Sequence, residues 1–338
     1  MIEKAADDGN LDLLRDLIDA DPPPPDVLLR AMATARAWFG RDPATELRER
    51  LGAPDATVET GVLTFEDYLP TVRWVRVVAP DGRRVEVRLA HRAIVTFLER
   101  AIGLRVPPDE LLERALWSGD PESQDWSQAD LTIRRRVPIE ESAQWAIGRL
   151  GDPEPLVRRF AAGLLHLMSF DIEGEEYVGA LRDRLGVESD GATLSSVIGA
   201  YSGFLDDRVL PELIPFARDP RVDVRCRVAG ELMTDSDGQP AEMLAAQFDL
   251  TRDEDPTVRR VALAALIHGP VDVPVIRELL AVHLAGDDRQ LRIEAAFGLA
   301  RRGDGPALAE LRRLAQEDGD ESSTWHSYWG VLNILGQR

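Results

Sequence analysis

The chain has 338 residues, 40 of them basic and 60 acidic, for a net charge of −20, and 44% are hydrophobic. That balance excludes a disordered chain, and no apolar run approaches the roughly 18 residues that cross a bilayer. One cysteine, Cys226, excludes an internal disulfide framework and a cysteine-clustered metal site, and the surplus of acids opposes general binding to phosphate backbones.

Met1-Ile2-Glu3-Lys4 runs into Asp7-Asp8 and lacks the basic, then apolar, segment of a secretory leader, so a soluble cytoplasmic protein is expected. Residues 1–60 read as helical. Gly9-Asn10-Leu11-Asp12-Leu13-Leu14-Arg15-Asp16-Leu17-Ile18 resembles the helix of an ankyrin repeat, without that family's Thr-Pro-Leu turn. The tract Asp21-Pro22-Pro23-Pro24-Pro25-Asp26 cannot be helical throughout and reads as a stiff surface turn. Helices are expected over Val27–Trp38 and Ala44–Leu51.

The period then changes. Val72–Val78 and Arg84–Leu89 flank Ala79-Pro80-Asp81-Gly82-Arg83, and strict alternation around Pro-Asp-Gly predicts a β-hairpin. A lone hairpin is marginal in water. It must pack on a neighbour, for which the helix Arg92–Ile102 is the candidate, or add to a partner's strand. A helix over Asp109–Trp117 follows, and Gly119–Arg136 reads as a loop or an irregular unit. Residues 61–138 therefore form an insertion in an otherwise repetitive chain.

From Ile139 onward the sequence repeats. Asp152-Pro153-Glu154-Pro155-Leu156-Val157-Arg158, Asp219-Pro220-Arg221-Val222-Asp223-Val224-Arg225, Asp255-Pro256-Thr257-Val258-Arg259 and Asp287-Asp288-Arg289-Gln290-Leu291-Arg292 align on the apolar residue before the arginine. These anchors recur at about 33 residues or twice that, and a degenerate copy, Ser189–Leu194, fills the gap. Apolar or small residues follow at helical spacing, as in Ala161, Leu164, Leu165 and in Ala295, Gly298, Leu299. An amphipathic stretch precedes each turn: Ser142–Leu150, Val209–Ala217, Ala241–Phe248, Val275–Leu284 and Ala307–Ala315. Each unit is helix, turn, helix. No unit buries enough surface to fold alone, so they are expected to stack into an all-α solenoid of about six units over residues 139–338, preceded by a helical region with one β-hairpin.

The Asp-Pro-x-x-x-Val-Arg pattern resembles HEAT repeats, particularly the short bacterial form found in phycobilisome lyases. That resemblance implies a curved body with a concave, partner-binding face, and it is nearly silent about chemistry. Two roles suit the repeated charges. Asp152, Asp219, Asp255 and Asp287 can cap the second helices, with Arg158, Arg225, Arg259 and Arg292 reaching a neighbouring turn's carboxylate in a ladder. Alternatively, the four arginines form an anion-binding stripe on the concave face. Arg159 and Arg260 are freer and stand as candidate contacts.

Chemistry is sparse. Phosphate-cradling glycine motifs are missing, and His91, His166, His268, His283 and His326 form no His-x-x-x-His or His-Glu pair, so neither metal nor cofactor is expected. Cys226 reads as a small apolar core residue, although Arg225 and Arg227 beside it would favour a thiolate. Trp126 and Trp145, near Trp117 and with Asp120, Asp125 and Asp130 close by, resemble the aromatic and acidic pairing of HEAT-like DNA glycosylases. Trp325 and Trp329, four apart, share a helical face that either closes the solenoid or meets a partner. The expected function is a non-catalytic scaffold holding a basic protein or peptide, with nucleic acid and membrane disfavoured. The alternative is a HEAT-like enzyme, a glycosylase or lyase-type small-molecule chaperone, with a pocket near Trp126 and Trp145.

Overall fold

A computed structural model describes residues 1–64, 70–204, 211–232, 241–269 and 271–318. The chain packs as two compact units, Met1–Ala180 and Leu181–Arg338.

The first unit opens with α1 (Ile2–Asp7), α2 (Leu11–Ala20), α3 (Pro25–Arg36) and α4 (Pro43–Leu51). Local chemistry sets their starts. The side chains of Asn10 and Asp42 accept from the backbone N–H groups of Leu13 and Thr45, and Pro25 and Pro43 occupy first-turn positions that need no donor. The Gly9-Asn10 pair is thus a turn and a cap between two short helices.

A three-stranded antiparallel sheet follows: β1 (Thr57–Leu63), β2 (Val72–Val78) and β3 (Arg84–Arg88), in the order β1-β2-β3. The expected hairpin is β2–β3, closed where Ala79 N–H donates to Arg83 O at 2.9 Å. Gly82 has φ 87°, a conformation that glycine adopts freely. Strand β1 was not expected. Its β-branched residues at 57, 58, 60 and 62 are interrupted by Gly61, and its two faces are largely exposed. The Trp74 ring on β2 lies across Gly61, where a Cβ would meet it at 2.6 Å, so a neighbouring side chain fills the glycine's vacancy.

The sheet rests mainly on α4 rather than on the helix that follows it. Val75, Val77 and Val87 pack with Leu47, Ala53 and Trp38. The succeeding helix, α5 (His91–Ala101), buries Ala93, Ile94, Phe97 and Leu98 against α1, α2 and α3 in a second core. Then come α6 (Pro108–Leu116), α7 (Gln124–Arg134), α8 (Ile139–Arg149) and α9 (Pro155–Met168). Helix α7 corrects the reading of 119–136 as loop. Its buried face carries Gln124, Asp125 and Gln128 beside Ala129 and Ile133, so the apolar period is diluted with polar residues. Its start is explicit, because Ser123 Oγ accepts from Trp126 N–H at 3.2 Å. Helices α6 and α7 both neighbour α9, so the first helix pair of the repeat belongs to the front unit.

Helix α10 (Glu175–Leu185) leads into the second unit, an all-α stack of helix pairs: α11 (Gly191–Gly203), a 3-10 helix Pro211–Arg218, α12 (Val222–Glu231), α13 (Ala241–Leu250), α14 (Pro256–His268), α15 (Pro274–Leu284), α16 (Arg289–Arg301) and α17 (Gly305–Asp318). Pro215 lies inside the 3-10 helix, where an α-helix would need its missing N–H. The second helices of successive pairs neighbour one another in order, α12 on α14 and α14 on α16, which is the solenoid ladder. Each pair adds apolar side chains to one shared interior; Leu266, Ile267, Ile276, Leu280, Ala295 and Leu299 are one stretch of it. Gly298 is close to Leu280 and Ile267, where a Cβ would stand at 3.0 and 3.3 Å, so the small residue permits the approach. Buried Gln247 ties two rungs together, donating to Ala229 O at 2.8 Å and Ala262 O at 3.0 Å. Residues Tyr328, Val331 and Leu332 of the expected stripe lie outside the described residues, as do Trp325 and Trp329.

Candidate functional site

The turns before the second helices share one geometry. Asp152, Glu188, Asp219 and Asp253 each stand two residues before a helix cap, and each carboxylate accepts that cap residue's backbone N–H, at 3.0, 2.9, 2.9 and 2.9 Å. Six residues further on, the guanidinium group reaches back. Arg158, Arg225 and Arg259 donate to the carbonyl oxygens of Asp152, Asp219 and Asp253 at 2.9, 2.8 and 2.8 Å. The arginine thus locks its own turn, and in the same act satisfies a carbonyl that no helix serves.

This corrects the expected equivalence of the four aspartates. Asp255 is a true helix cap, accepting from Thr257 and Val258, and Asp288 rather than Asp287 caps α16. Asp152 and Asp219 sit two residues before the caps and do not cap α9 or α12. The Asp-Pro dipeptide slides: Pro256 is the first residue of α14, whereas Pro153 and Pro220 precede the caps Glu154 and Arg221. A rung between units exists at Arg225, whose Nε and Nη2 donate to both carboxylate oxygens of Asp253 at 2.7 and 2.9 Å. Arg292 Nε is buried without a hydrogen bond. Arg158 and Arg225 are buried and committed, and Arg259 is committed to its own turn, so these three are not an anion-binding stripe. Arg159 is half-buried and Arg260 exposed. Cys226 is half-buried, and burial, then Asp255 and Asp253, push its thiol pKa up and outweigh the lowering pull of Arg225.

The turns of the second unit line up as an acidic edge. Arg221 Nη1 donates to Ser189 O at 2.7 Å, and Arg225 crosses to Asp253, so the turns before α11, α12 and α14 are adjacent. Asp223 and Asp287 are exposed, and the Glu254 side chain is 89% exposed.

Trp126 and Trp145 do come together, through packing. Both set their rings edge-on to Phe160, at 4.9 and 6.5 Å, and Phe160 is itself fully buried. The carboxylate beside Trp145 is Asp109, which accepts its indole N–H at 2.9 Å. Asp120 accepts from Thr71, and Asp125 accepts the backbone N–H of Ala93 at 2.7 Å, capping α5 from α7. Burial pushes the Asp125 and Asp130 carboxyls up to about 7, against the opposing pull of Arg92 and Arg73 on the first and Arg134 on the second. Asp130 Oδ1 has no hydrogen-bond partner. A carboxyl raised in the fold binds its proton more tightly there than when unfolded, so its cost appears as pH rises from about 4 through 7 and persists above. Asp130→Asn is therefore expected to raise the melting temperature at pH 8 by about 2–6 °C and to leave it nearly unchanged at pH 4, read by circular dichroism at both pH values.

A feature that sequence reading did not find lies where α3, α4 and α5 meet. A cavity of about 340 Å³ is lined by Trp38, Arg41, Asp42, His91, Arg92 and Trp117 among others. His91 stacks on Trp38 at 4.8 Å, and its Nε2 lies 3.1 Å from the carbonyl oxygen of Asp7. A carbonyl only accepts, so Nε2 carries the hydrogen. Burial lowers the His91 pKa to about 4, so the ring is neutral at pH 7. Trp38 and Arg50 both bind the Asp7 carboxylate and hold this wall in place. The opposite wall is a stack of rings and cations: the Arg92 guanidinium lies 4.6 Å from the Phe39 ring and 3.9 Å from the Trp117 ring, and Arg73 lies 5.3 Å from Trp117.

No family model matches the chain, and no curated protein matches it. Among solved structures, the X-ray structure of Escherichia coli YibA is 18% identical, with a TM-score of 0.46, covering 62% of this chain and 75% of its own. The fold assignment therefore stands on the helix pairs and their order of contact. No described helix is long and apolar enough to cross a membrane.

Proposed function

We propose that the protein is a non-catalytic scaffold of the HEAT-repeat type that holds a basic protein or peptide. The observation that carries this reading is the row of turns in the second unit, adjacent before α11, α12 and α14, where Asp223 and Glu254 are exposed and Arg225 is turned inward onto Asp253. An ordinary capping role accounts for Asp253 and Asp255, and Glu254 stands 3.7 Å from the Arg225 guanidinium, but Asp223 and Asp287 cap no helix and are exposed. Such a row attracts a positively charged partner over about a Debye length and selects against acidic ones. The enzymatic alternative draws less support, since Trp126 and Trp145 are spent on Phe160 and Asp125 on α5.

The test is quantitative capture from cell extract with wild type and with an Asp223→Lys/Glu254→Lys/Asp287→Lys variant. A defined basic protein should be retained by wild type, released by raised salt, and bound about tenfold or more weakly by the variant. Retention of the same proteins by both forms, or of none by either, would overturn the reading.

A further inference from the structure

We propose that the cavity between α3, α4 and α5 is a binding site for a small organic oxyanion, a carboxylate or a phosphate monoester, held by Arg92. The inference is independent of the scaffold role.

Several other arginines meet acids directly: Arg50 meets Asp7, Arg76 meets Glu86, Arg114 meets Glu99, and Arg225 meets Asp253. Others, such as Arg302, satisfy backbone carbonyl oxygens instead. Arg92 has no hydrogen-bond or ion-pair partner among the described residues, and it is half-buried. Desolvation pulls it below the usual arginine range, against the attraction of the buried Asp125 carboxyl.

Geometry says what kind of counter-charge fits. The Arg92 guanidinium lies 4.6 Å from the Phe39 ring and 3.9 Å from the Trp117 ring, contacts that consume no hydrogen-bond acceptor. Its planar fork of N–H donors matches a carboxylate or phosphate bidentately. The cavity's other charges are committed: Arg41 to Glu46 at 2.9 Å, and Asp42 to the Thr45 backbone and hydroxyl at 2.8 and 2.7 Å. His91 is neutral and fixed by Asp7. The nearest buried acid, Asp125, spends its Oδ1 on Ala93 N–H. A volume of about 340 Å³ is at the small end of ligand cavities and suits a single-ring body. The simpler account is that Arg92 merely covers apolar surface with its stem. That account explains the two ring contacts, but it does not explain why a half-buried guanidinium lines a cavity with no hydrogen-bond or ion-pair partner.

The experiment uses the full-length protein with benzoate and phenyl phosphate as ring-bearing probes, and acetate and inorganic phosphate as bare anions. Calorimetry and tryptophan fluorescence should show saturable binding of at least one ring-bearing probe, tighter than its bare counterpart. Arg92→Gln should weaken it about tenfold or more, and Arg92→Lys, which keeps charge but not the fork, should weaken it by an intermediate factor. Arg105→Gln, at an exposed arginine paired with Glu141, should change nothing. A carboxylate-only or phosphate-only result assigns the source of the oxyanion and supports the site. If Arg92→Gln fails to fold, arginine-specific labelling of wild type by phenylglyoxal keeps the question open to test: Arg92 should react, and the bound probe should protect it. Absence of saturable binding up to about 10 mM of every probe, equal affinity for ringed and bare anions, unaltered binding by folded Arg92→Gln, or an Arg92 that the probe does not protect, would each overturn the proposal.

Discussion

Gly9→Ala is expected to destabilise the front unit by about 3–5 kcal/mol, lowering its melting temperature by about 6–15 °C. Gly9 has φ +64°, and a Cβ there would lie 1.8 Å from the carbonyl oxygen of Arg88 and 3.0 Å from the His91 ring. The first obstacle is backbone and cannot rotate aside. The turn between α1 and α2 is pressed against the end of β3, where Arg88 N–H donates to Asp8 O at 2.9 Å and the Arg88 guanidinium donates to Asn10 Oδ1 at 2.9 Å. A methyl group must push these apart, or displace His91 from Asp7, in addition to the roughly 1 kcal/mol that a left-handed backbone costs alanine. Gly82→Ala supplies the comparison. Gly82 has φ +87° with nothing within 4 Å of its Cβ position, so only the backbone cost of about 1 kcal/mol applies. Thermal unfolding of the two variants side by side decides the matter. If they melt within about 2 °C of each other, the contact between turn and strand is looser than the geometry requires.

That contact also shows what sequence reading can and cannot reach. The helix pairs were legible because their information is local and repeated: residues at helical spacing after an anchor, as at Ala161, Leu164 and Leu165 and at Ala295, Gly298 and Leu299, are buried. The hairpin was legible through Pro80-Asp81-Gly82. Strand β1 was not, because exposure on both faces erases alternation, and the device that rescues Gly61 is a tryptophan 13 positions away on β2. Helix α7 was hidden by its own chemistry, since a buried aspartate serving another helix's N-terminus reads as polar surface. The turn acids were visible as residue types but misaligned, because proline can stand on either side of the cap. Arg302 carries no signal in the repeat pattern, yet its guanidinium donates to the carbonyl oxygens of Leu266, Gly269 and Val271 and closes the end of α14. The cavity was beyond reach for a stronger reason. Trp38, His91 and Trp117 are brought together by three separate helical segments, and no periodicity encodes their meeting.

A second large effect is expected inside the front unit, at a buried ion pair that carries no proposed function. Glu99 on α5 is 2% exposed and accepts from Arg114 on α6, with Nη1 at 2.5 Å and Nη2 at 3.2 Å, while Arg114 also donates to Thr96 Oγ1 at 3.1 Å and to Glu110. Arg36 on α3 completes the site from the solvent side. Arg114→Met should cost about 3–4 kcal/mol, because it leaves a desolvated carboxylate facing one partly exposed arginine. The loss belongs to the stranded charge rather than to the bond, and the double variant separates the two. Glu99→Met/Arg114→Met removes both charges and keeps the volume apolar, so it should recover most of the stability, ending within about 1–2 kcal/mol of wild type. Denaturant unfolding of the wild type, the two single variants and the double variant provides the cycle. If the double variant is no more stable than Arg114→Met alone, removing the stranded charge recovers nothing and the pair is a net source of stability. The front unit would then be held together by its charges, and not by the apolar contacts of Ala93, Ile94 and Leu98 that surround them.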